Sequence, residues 1–244
     1  MATETTPSTL AIEVEAVTKA FGPRLVLKGI DLALDRGDFL VLFGPNGAGK
    51  TTLIRILSTI SRPTTGRVSI AGFDAKRKPV EARRLIGMVS HDTMLYRDLT
   101  AYENLRFLGK MYDVPELEER IHSLMTRVGL APNLHQRVGT FSHGMMKRLS
   151  IARAFLHDPP VLLLDEPETG LDQQGIWMLT ETLHALGSEK KAVVMTTHSL
   201  EHGLRGGTRI AILARGKIVY QEATRHVDRG RFSEIYRECT EATR

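Results

Sequence analysis

The stretch Gly44-Pro45-Asn46-Gly47-Ala48-Gly49-Lys50-Thr51 decides how this chain folds, because it joins an apolar run to a segment of helical periodicity. Residues 38–43 are predicted to form a buried strand and residues 50–59 a helix. Glycines let the backbone curl so that successive N–H groups cradle phosphate oxygens at a helix N-terminus. These eight residues and Thr52 therefore predict a nucleotide site, with Lys50 on the β- and γ-phosphates and the Thr51 hydroxyl on Mg²⁺. A glycine-rich turn without a ligand is the alternative.

The composition is that of an ordinary globular chain, with 244 residues, 42% hydrophobic and 25% charged. No apolar run approaches the ~20 residues of a membrane-spanning helix, and residues 1–8 lack the apolar core of a signal peptide. The single cysteine, Cys239, cannot form an internal disulfide, which is typical of a reducing compartment. We therefore predict a cytoplasmic chain.

The net charge of +5 is spread along the sequence, and Lys76-Arg77-Lys78 is its one short basic run. A concentrated basic face would have indicated nucleic acid or an anionic membrane as the partner. The dispersed charge favours a solvated surface instead, so we predict that the chain binds no nucleic acid.

Hydrophobic periodicity divides the chain into a strand-rich start, a helical block and a second α/β part. Alternating apolar and polar residues near the N-terminus predict a half-exposed antiparallel sheet, and later apolar runs predict buried parallel strands. The helical block begins at Thr100, where Thr100-Ala101-Tyr102-Glu103 forms a capping box, continues with a second helix near Pro115 and extends to about residue 158. The predicted strands cover residues 11–17, 25–34, 66–72, 160–165, 192–197, 209–213 and 217–220.

Two adjacent carboxylates, Asp165 and Glu166, end one of the predicted parallel strands, where α/β sheets place their ligands. Asp165 is predicted to hold Mg²⁺ through a water, since a hard cation prefers oxygen ligands. Glu166, just past the strand, is predicted to act as general base on an attacking water. A solvated turn before Pro167 is the alternative for either carboxylate alone. Beside the glycine-rich loop, the pair predicts hydrolysis of the nucleotide.

A third motif precedes these carboxylates and reads Phe141-Ser142-His143-Gly144-Met145, followed by a basic helix up to Ala154. On these residues the chain resembles the ATP-binding cassette (ABC) family, whose signature is usually Leu-Ser-Gly-Gly-Gln before such a helix. Ser142 is a good N-cap, so its hydroxyl, the Gly144 N–H and the helix dipole can face a γ-phosphate. A capped amphipathic helix with a core face is the alternative.

The resemblance extends from Phe21 to Tyr220 and implies an α/β fold. In this fold a P-loop NTPase core with a parallel sheet carries an N-terminal antiparallel β subdomain and an inserted α-helical subdomain. We expect a single ABC ATPase domain over residues 10–222, with the helical subdomain at about 92–158 and a polar C-terminal tail at 223–244.

The resemblance also implies a head-to-tail dimer with two ATP molecules at its interface, because one chain has a single phosphate loop and a single signature. The dimer is a homodimer or a pair with a second ABC subunit, and Ser142, His143, Gly144 and Met145 contact the ATP of the partner subunit. Phe21 matches the aromatic that stacks on adenine, and Asp172 lies in the loop that crosses to the partner. His198 matches the switch histidine that senses the γ-phosphate and orients the water.

Two histidines depart from the family pattern at the nucleotide interface. His91 ends the segment Ile86–His91 where the family has a glutamine, and an imidazole nitrogen suits Mg²⁺ less well than an amide oxygen. We expect His91 to act on Mg²⁺ through a water or on the attacking water itself, with simple packing as the alternative. His143 replaces the first glycine of the signature, and its ring is expected to turn away from the phosphate.

The resemblance implies a transmembrane permease as partner, whose cytoplasmic helix docks around residues 91–112 with Leu95, Tyr96 and Leu99 as apolar anchors. The protein then lies on the inner face of the cell membrane, attached only through the permease. Strings such as Leu156-His157-Asp158-Pro159-Pro160 resemble exporters linked to haem export for cytochrome c maturation. Exporters of drugs, lipids or polysaccharide are the first alternative, and a soluble non-transport ABC ATPase is the second.

Overall fold

The computed structural model describes residues 10–187 and 191–241, and within these ranges the chain forms ten strands and eight α-helices. The strands are β1 (Leu10–Phe21), β2 (Arg24–Asp35), β3 (Phe39–Phe43), β4 (Thr65–Ile70), β5 (Phe73–Asp74), β6 (Ile86–Val89), β7 (Val161–Asp165), β8 (Ala192–Thr196), β9 (Arg209–Ala214) and β10 (Lys217–Ala223). The helices are α1 (Lys50–Leu57), α2 (Pro79–Arg84), α3 (Ala101–Met111), α4 (Leu117–Arg127), α5 (His143–Phe155), α6 (Gln173–Gly187), α7 (Leu200–Gly206) and α8 (Phe232–Glu241). Every helix in the described ranges is too short or too polar to span a bilayer.

The central sheet has the strand order β10-β9-β3-β8-β7-β6. Strands β9, β3, β8, β7 and β6 are parallel, and β10 closes the sheet as the antiparallel arm of the predicted hairpin. Because β8 lies between β3 and β7, the loops that follow these three strands meet at one edge of the sheet. The phosphate loop, Glu166 and His198 belong to those loops, and Asp165 is the last residue of β7.

Strand β3 is buried on both faces, which explains why its sequence is continuously apolar. Leu40 and Leu42 point into one core, shared with the antiparallel sheet β2-β1-β4-β5. Val41 and Phe43 point into the other, which is shared with the helical block. The central sheet is thus packed between an antiparallel sheet and helices, and the predicted α/β architecture is confirmed.

The predicted capping box opens α3. The Thr100 hydroxyl accepts a hydrogen bond from the Glu103 N–H at 3.1 Å, and the Glu103 carboxylate accepts one from the Thr100 N–H at 2.8 Å. Buried Asn104 then bonds both backbone groups of Tyr96, at 2.8 and 2.9 Å, so α3 holds the preceding loop. Helix α4 begins at Leu117, slightly later than the predicted start near Pro115, because Glu116 is in the left-handed region with φ 47°.

The C-terminal segment contains a packed helix, although its sequence is mostly polar. Phe232 at the start of α8 is 1% exposed, and its ring centroid lies 5.2 Å from that of Phe43. Ile235, Tyr236 and Cys239 are partly buried and pack against the same core. With Phe232 they lie at i, i+3, i+4 and i+7, so the segment expected to be a polar tail carries the apolar stripe of a packed helix.

His157 lies between the helical block and the central sheet. Its ring stacks on Tyr112 with centroids 4.0 Å apart, and its Nε2 donates a hydrogen bond to the Ile86 carbonyl at 3.2 Å. Burial lowers the pKa of His157 to about 4, although the bond to Ile86 opposes this shift. The imidazole is therefore neutral in the folded chain at neutral pH.

We predict that His157 makes the fold less stable in mild acid. Between its ordinary pKa of 6.5 and about 4, the unfolded chain binds a proton that the folded chain excludes. The free energy of unfolding therefore falls as the pH falls through this window, by at most about 1.4 kcal/mol per pH unit. Urea unfolding at several pH values should show this slope in the wild type and a flatter one in His157→Phe. Replacing exposed His122 by Gln should keep the wild-type slope, and equal slopes in all three proteins would contradict the prediction.

Candidate active site

The phosphate loop between β3 and α1 requires glycine at two positions. Gly44 has φ 154°, and a Cβ there would lie 2.2 Å from the Leu213 carbonyl oxygen. Gly49 has φ 111°, and a Cβ there would lie 2.7 Å from Cδ2 of Leu27. The loop therefore packs against β9 and β2, where a larger side chain does not fit.

Lys50, the first residue of α1, is 5% exposed and folds back over its own loop. Its Nζ donates hydrogen bonds to the Gly44 carbonyl at 2.7 Å and the Pro45 carbonyl at 3.3 Å. Burial lowers the pKa of Lys50, while the negative charges of Glu166 and Asp165 oppose that shift. The ammonium group thus lies inside the curl of the loop that is predicted to receive phosphate.

A cavity of about 270 Å³ lies over this loop. It brings the phosphate loop together with Glu166, as the sequence predicted, and adds the start of β2. Its lining residues are Arg24, Val26, Pro45, Asn46, Gly47, Gly49, Lys50, Thr51, Thr52 and Glu166. Gly44 and Ala48 are buried beneath it. No sequence motif marks Arg24, which enters the cavity through the pairing of β1 with β2.

Glu166 follows β7 in a left-handed conformation with φ 47°. Its N–H donates to the Thr196 carbonyl at 3.2 Å and to the Thr196 hydroxyl at 3.0 Å, which holds the turn against β8. Nε2 of His198 lies 2.5 Å from Oε1 of Glu166. The structure therefore brings together two of the predicted catalytic residues from two neighbouring strands.

Asp165 is 4% exposed and ends β7 opposite Thr196. The Thr196 hydroxyl donates a hydrogen bond to Oδ1 of Asp165 at 2.7 Å, which orients the carboxylate. Carboxylate and hydroxyl oxygens are ligands that Mg²⁺ prefers, so Asp165 and Thr51 fit that ion together with the nucleotide phosphates. Among the described residues, no three His, Cys, Asp or Glu side chains are grouped to hold a metal.

The signature residues lie at the start of α5, apart from this cavity. Ser142 is the N-cap, as predicted, and its hydroxyl accepts a hydrogen bond from the Met145 N–H at 3.2 Å. Arg148 on the same helix donates to Asp172 at 2.8 Å, and Asp172 accepts from the Gly175 N–H at 2.8 Å. These contacts join the signature helix to the loop that opens α6. The bond from Gly175, followed by that from Arg148, lowers the pKa of Asp172.

The remaining predicted residues are spread around the surface. Phe21 ends β1 with 54% of its surface exposed, and the Lys19 ammonium lies 4.8 Å from its ring centroid. The His143 ring lies against Gly170, where an added Cβ would come within 2.5 Å of it. His91 is exposed in the loop after β6. Along the described chain, none of the three lines the cavity over the phosphate loop.

Known proteins share this arrangement. The family model described as "ABC transporter" matches residues 27–169, more than half of the chain. The chain belongs to the ABC transporter ATPase family. NatA, an ABC transporter ATP-binding protein of Bacillus subtilis (strain 168), is 34% identical to this ABC ATPase over 200 residues, which cover 81% of each chain.

Two further relatives carry names that state drug resistance or export. The daunorubicin resistance ATP-binding protein DrrA3 of Streptomyces coeruleorubidus is 35% identical over 86% of this ABC ATPase and 67% of its own length. The Nod factor export ATP-binding protein I of Rhizobium sp. (strain N33) is 35% identical over 86% of this ABC ATPase and 70% of its own length. The names of these relatives do not support the predicted haem-export subfamily.

A solved structure matches the fold over most of both chains. The dimeric post-hydrolysis state of the ATP-binding cassette MJ0796, bound to ADP and Pi, has a TM-score of 0.79 and 27% identity. The match covers 88% of this ABC ATPase and 100% of that chain. This protein is therefore an ATPase that uses ATP and Mg²⁺, as the sequence predicted.

The sequence pattern did not single out two polar groups that support the site of this ABC ATPase. Thr196 bonds both Asp165 and Glu166, and Lys147 on α5 is 2% exposed and reaches the Glu166 carbonyl at 3.3 Å. Thr196 ends a β-branched run, where a threonine looks like an ordinary strand residue. Lys147 lies in a basic helix, where a lysine normally faces solvent.

We predict that Thr196→Val destabilises the protein and slows hydrolysis. The substitution keeps the shape of the side chain but leaves the Asp165 carboxylate without its hydroxyl donor. We expect a loss of about 1–3 kcal/mol in the free energy of unfolding and about a tenfold lower kcat. Thr196→Ser should retain both properties. Thr126→Val, on an exposed face of α4, should change stability by less than about 0.5 kcal/mol. Wild-type kcat in Thr196→Val would contradict the role assigned to this hydroxyl.

Proposed function

We propose that this ABC ATPase drives an exporter of drug-like or other small secreted molecules by closing as an ATP-bound dimer beneath a separate permease. The observation that carries the hydrolytic part is the contact of His198 with Glu166 over the phosphate-loop cavity, with Nε2 and Oε1 2.5 Å apart. The relatives named above support the transport part.

Each side chain of the site has a separate task in this proposal. Lys50 leaves its carbonyl partners and binds the β- and γ-phosphates, while Asp165 and Thr51 hold Mg²⁺, which neutralises phosphate charge when bound. Oε1 of Glu166 accepts the proton of the attacking water, and His198 fixes the orientation of that carboxylate. His91, exposed on its loop, acts on Mg²⁺ through a water or on the attacking water itself.

The second half of the site comes from another copy of the chain. Among the described residues that line the phosphate-loop cavity, neither Ser142 nor Gly144 is present. These residues lie instead at the N-terminus of α5, where N–H groups and the helix dipole favour an anion. In a head-to-tail dimer, the γ-phosphate of the ATP bound to one subunit contacts the α5 N-terminus of the other subunit. The exposed ring of Phe21 stacks on the adenine. A second ABC subunit in place of the second copy gives the same geometry.

We predict that Glu166→Gln traps this dimer. The amide cannot accept the proton of the water, so ATP persists at the interface. Light scattering after chromatography in Mg²⁺ and ATP should show a dimer for Glu166→Gln and a monomer without nucleotide. Adding Lys50→Met to Glu166→Gln should abolish the dimer, because the phosphates lose their cation. Glu181→Gln, at an exposed position in the middle of α6, should behave like the wild type. A Glu166→Gln protein that stays monomeric with ATP would contradict the proposed mechanism.

An exposed apolar surface beside His91 supports the permease as partner. Tyr96 is 54% exposed and Phe107 46%, and their rings make an edge-to-face contact with centroids 5.6 Å apart. Met111 on the same helix α3 is 58% exposed. Leu95 and Leu99, the other predicted anchors, are half-buried, and Leu95 packs against the core. The docking surface we propose is therefore Tyr96, Phe107 and Met111, which suits the apolar face of a helix.

The names of the relatives support the substrate class that we propose. Haem export was the sequence-based expectation, whereas the relatives named above concern daunorubicin resistance and Nod factor export. A drug-type exporter therefore replaces haem export as our proposal. Attachment to the inner face of the cell membrane, through the permease alone, belongs to the same proposal.

We predict that deleting the gene from its source cell makes that cell more sensitive to an antibiotic from a panel of apolar drugs. The wild-type gene should restore resistance, whereas Glu166→Gln should not, because transport needs ATP hydrolysis. Tyr96→Glu should also fail, because a charge on the docking surface prevents the permease helix from binding. Its ATPase activity in the purified protein should stay normal. Loss of cytochrome c without any change in drug sensitivity would restore haem export and overturn the drug-type proposal.

A further inference from the structure

Lys147 is a buried cation that touches two loops of the active site. It lies in the second turn of α5 with 2% of its surface exposed. Its Nζ donates to the Ser90 carbonyl at 3.2 Å and to the Glu166 carbonyl at 3.3 Å. Ser90 directly precedes His91, and Glu166 is the proposed general base. One ammonium group therefore connects the signature helix with both of these loops.

A buried lysine is a costly way to fill space. Burial lowers the pKa of Lys147, and the negative charges of Glu168, Asp165 and Glu166 oppose that shift. An apolar side chain of similar volume commonly stabilises a core as well as a buried charge does. Packing alone therefore does not account for a cation here, whereas the two carbonyl contacts do.

The two carbonyls belong to main-chain segments that need support. Glu166 has φ 47°, a conformation that costs a side-chain-bearing residue of order 1 kcal/mol and persists where its surroundings hold it. The Thr196 hydroxyl on β8 accepts a hydrogen bond from the Glu166 N–H, and the Lys147 ammonium on α5 donates one to the Glu166 carbonyl. In the loop after β6, the Ser90 hydroxyl donates to the Asp92 carbonyl at 2.6 Å and forms a turn around His91. Lys147 donates to the Ser90 carbonyl and therefore holds this turn as well.

We propose that Lys147 is a positioning residue that sets the main chain of Glu166 and makes it respond to movement of α5 and of the loop at His91. The proposal rests on the role given to Glu166 above. When α5 shifts as its N-terminus meets the partner's nucleotide, Lys147 transmits the shift to the Glu166 carbonyl. The loop after β6, which leads to the docking surface, is linked to the same ammonium.

The test compares Lys147→Met and Lys147→Arg in steady-state ATPase assays of the purified chain. Met has similar length but no donor, so kcat should fall at least about tenfold while KM for ATP stays within about twofold. Arg keeps the charge and the donors and should restore kcat to within about threefold of the wild type. A kcat for Lys147→Met within about twofold of the wild type would overturn the proposal.

The matched control is Lys191, a buried lysine with paired contacts outside the phosphate loop. It is 7% exposed and donates to Asp158 at 2.6 Å and to the Pro159 carbonyl at 3.3 Å, away from the nucleotide. Lys191→Met should lower the melting temperature but leave kcat within about twofold. An equal fall of kcat in Lys191→Met and Lys147→Met would overturn a specific role for Lys147. If Lys147→Met does not fold, Lys147→Gln replaces it, with at least about a threefold lower kcat expected.

A double-mutant cycle separates this proposal from the assignment of Glu166. If Lys147 acts through Glu166, adding Lys147→Met to Glu166→Gln should change the residual rate by less than about twofold. A further tenfold loss in that background would overturn the proposal for Lys147 and leave the role of Glu166 intact. A wild-type rate in Glu166→Gln alone would overturn both proposals, that Glu166 is the general base and that Lys147 positions it.

Discussion

The hydroxyl of Thr196 holds together the edge of the sheet on which the site depends. It donates to Asp165 and accepts from the Glu166 N–H, so one buried group orients both carboxylates. This is possible because β7 and β8 are parallel neighbours, with Asp165 opposite Thr196 in the register. The phosphate loop after β3 and His198 after β8 then fall within reach of the same carboxylates. The strand order therefore determines which loops meet at the site, whatever side chains they carry.

Local patterns were sufficient for much of this arrangement. The glycines of the phosphate loop, the apolar runs of β3, β7 and β8, and the capping box at Thr100 each leave a periodic or positional signal within a few residues. Ser142 as an N-cap is of the same kind. Each of these side chains is constrained by its own turn or strand, which is why a short stretch of sequence predicts its local structure.

The remaining features depend on contacts between distant segments. Arg24 enters the cavity by strand pairing, Lys147 is buried by the loops around it, and Phe232 is buried against Phe43. Arginine and lysine are usually solvated, so composition and spacing do not reveal where Arg24 and Lys147 lie. The apolar stripe that begins at Phe232 predicts a buried face, but it does not predict that Phe43 is the partner. The docking surface shows the same limit, because Leu95 and Tyr96 are adjacent in sequence but only Tyr96 is largely exposed.

The charges near the nucleotide site explain why it is suited to open and close. Two lysines of low exposure, Lys50 and Lys147, lie in the field of Asp165 and Glu166, and Glu168 also acts on Lys147. These five groups carry a small net negative charge, so they do not by themselves attract a polyphosphate. In the proposed dimer, Mg²⁺, the N–H groups of the phosphate loop and the N-terminus of the partner's α5 supply the missing positive potential. After hydrolysis, ADP and phosphate share this potential and repel each other, and this repulsion would favour opening of the proposed dimer.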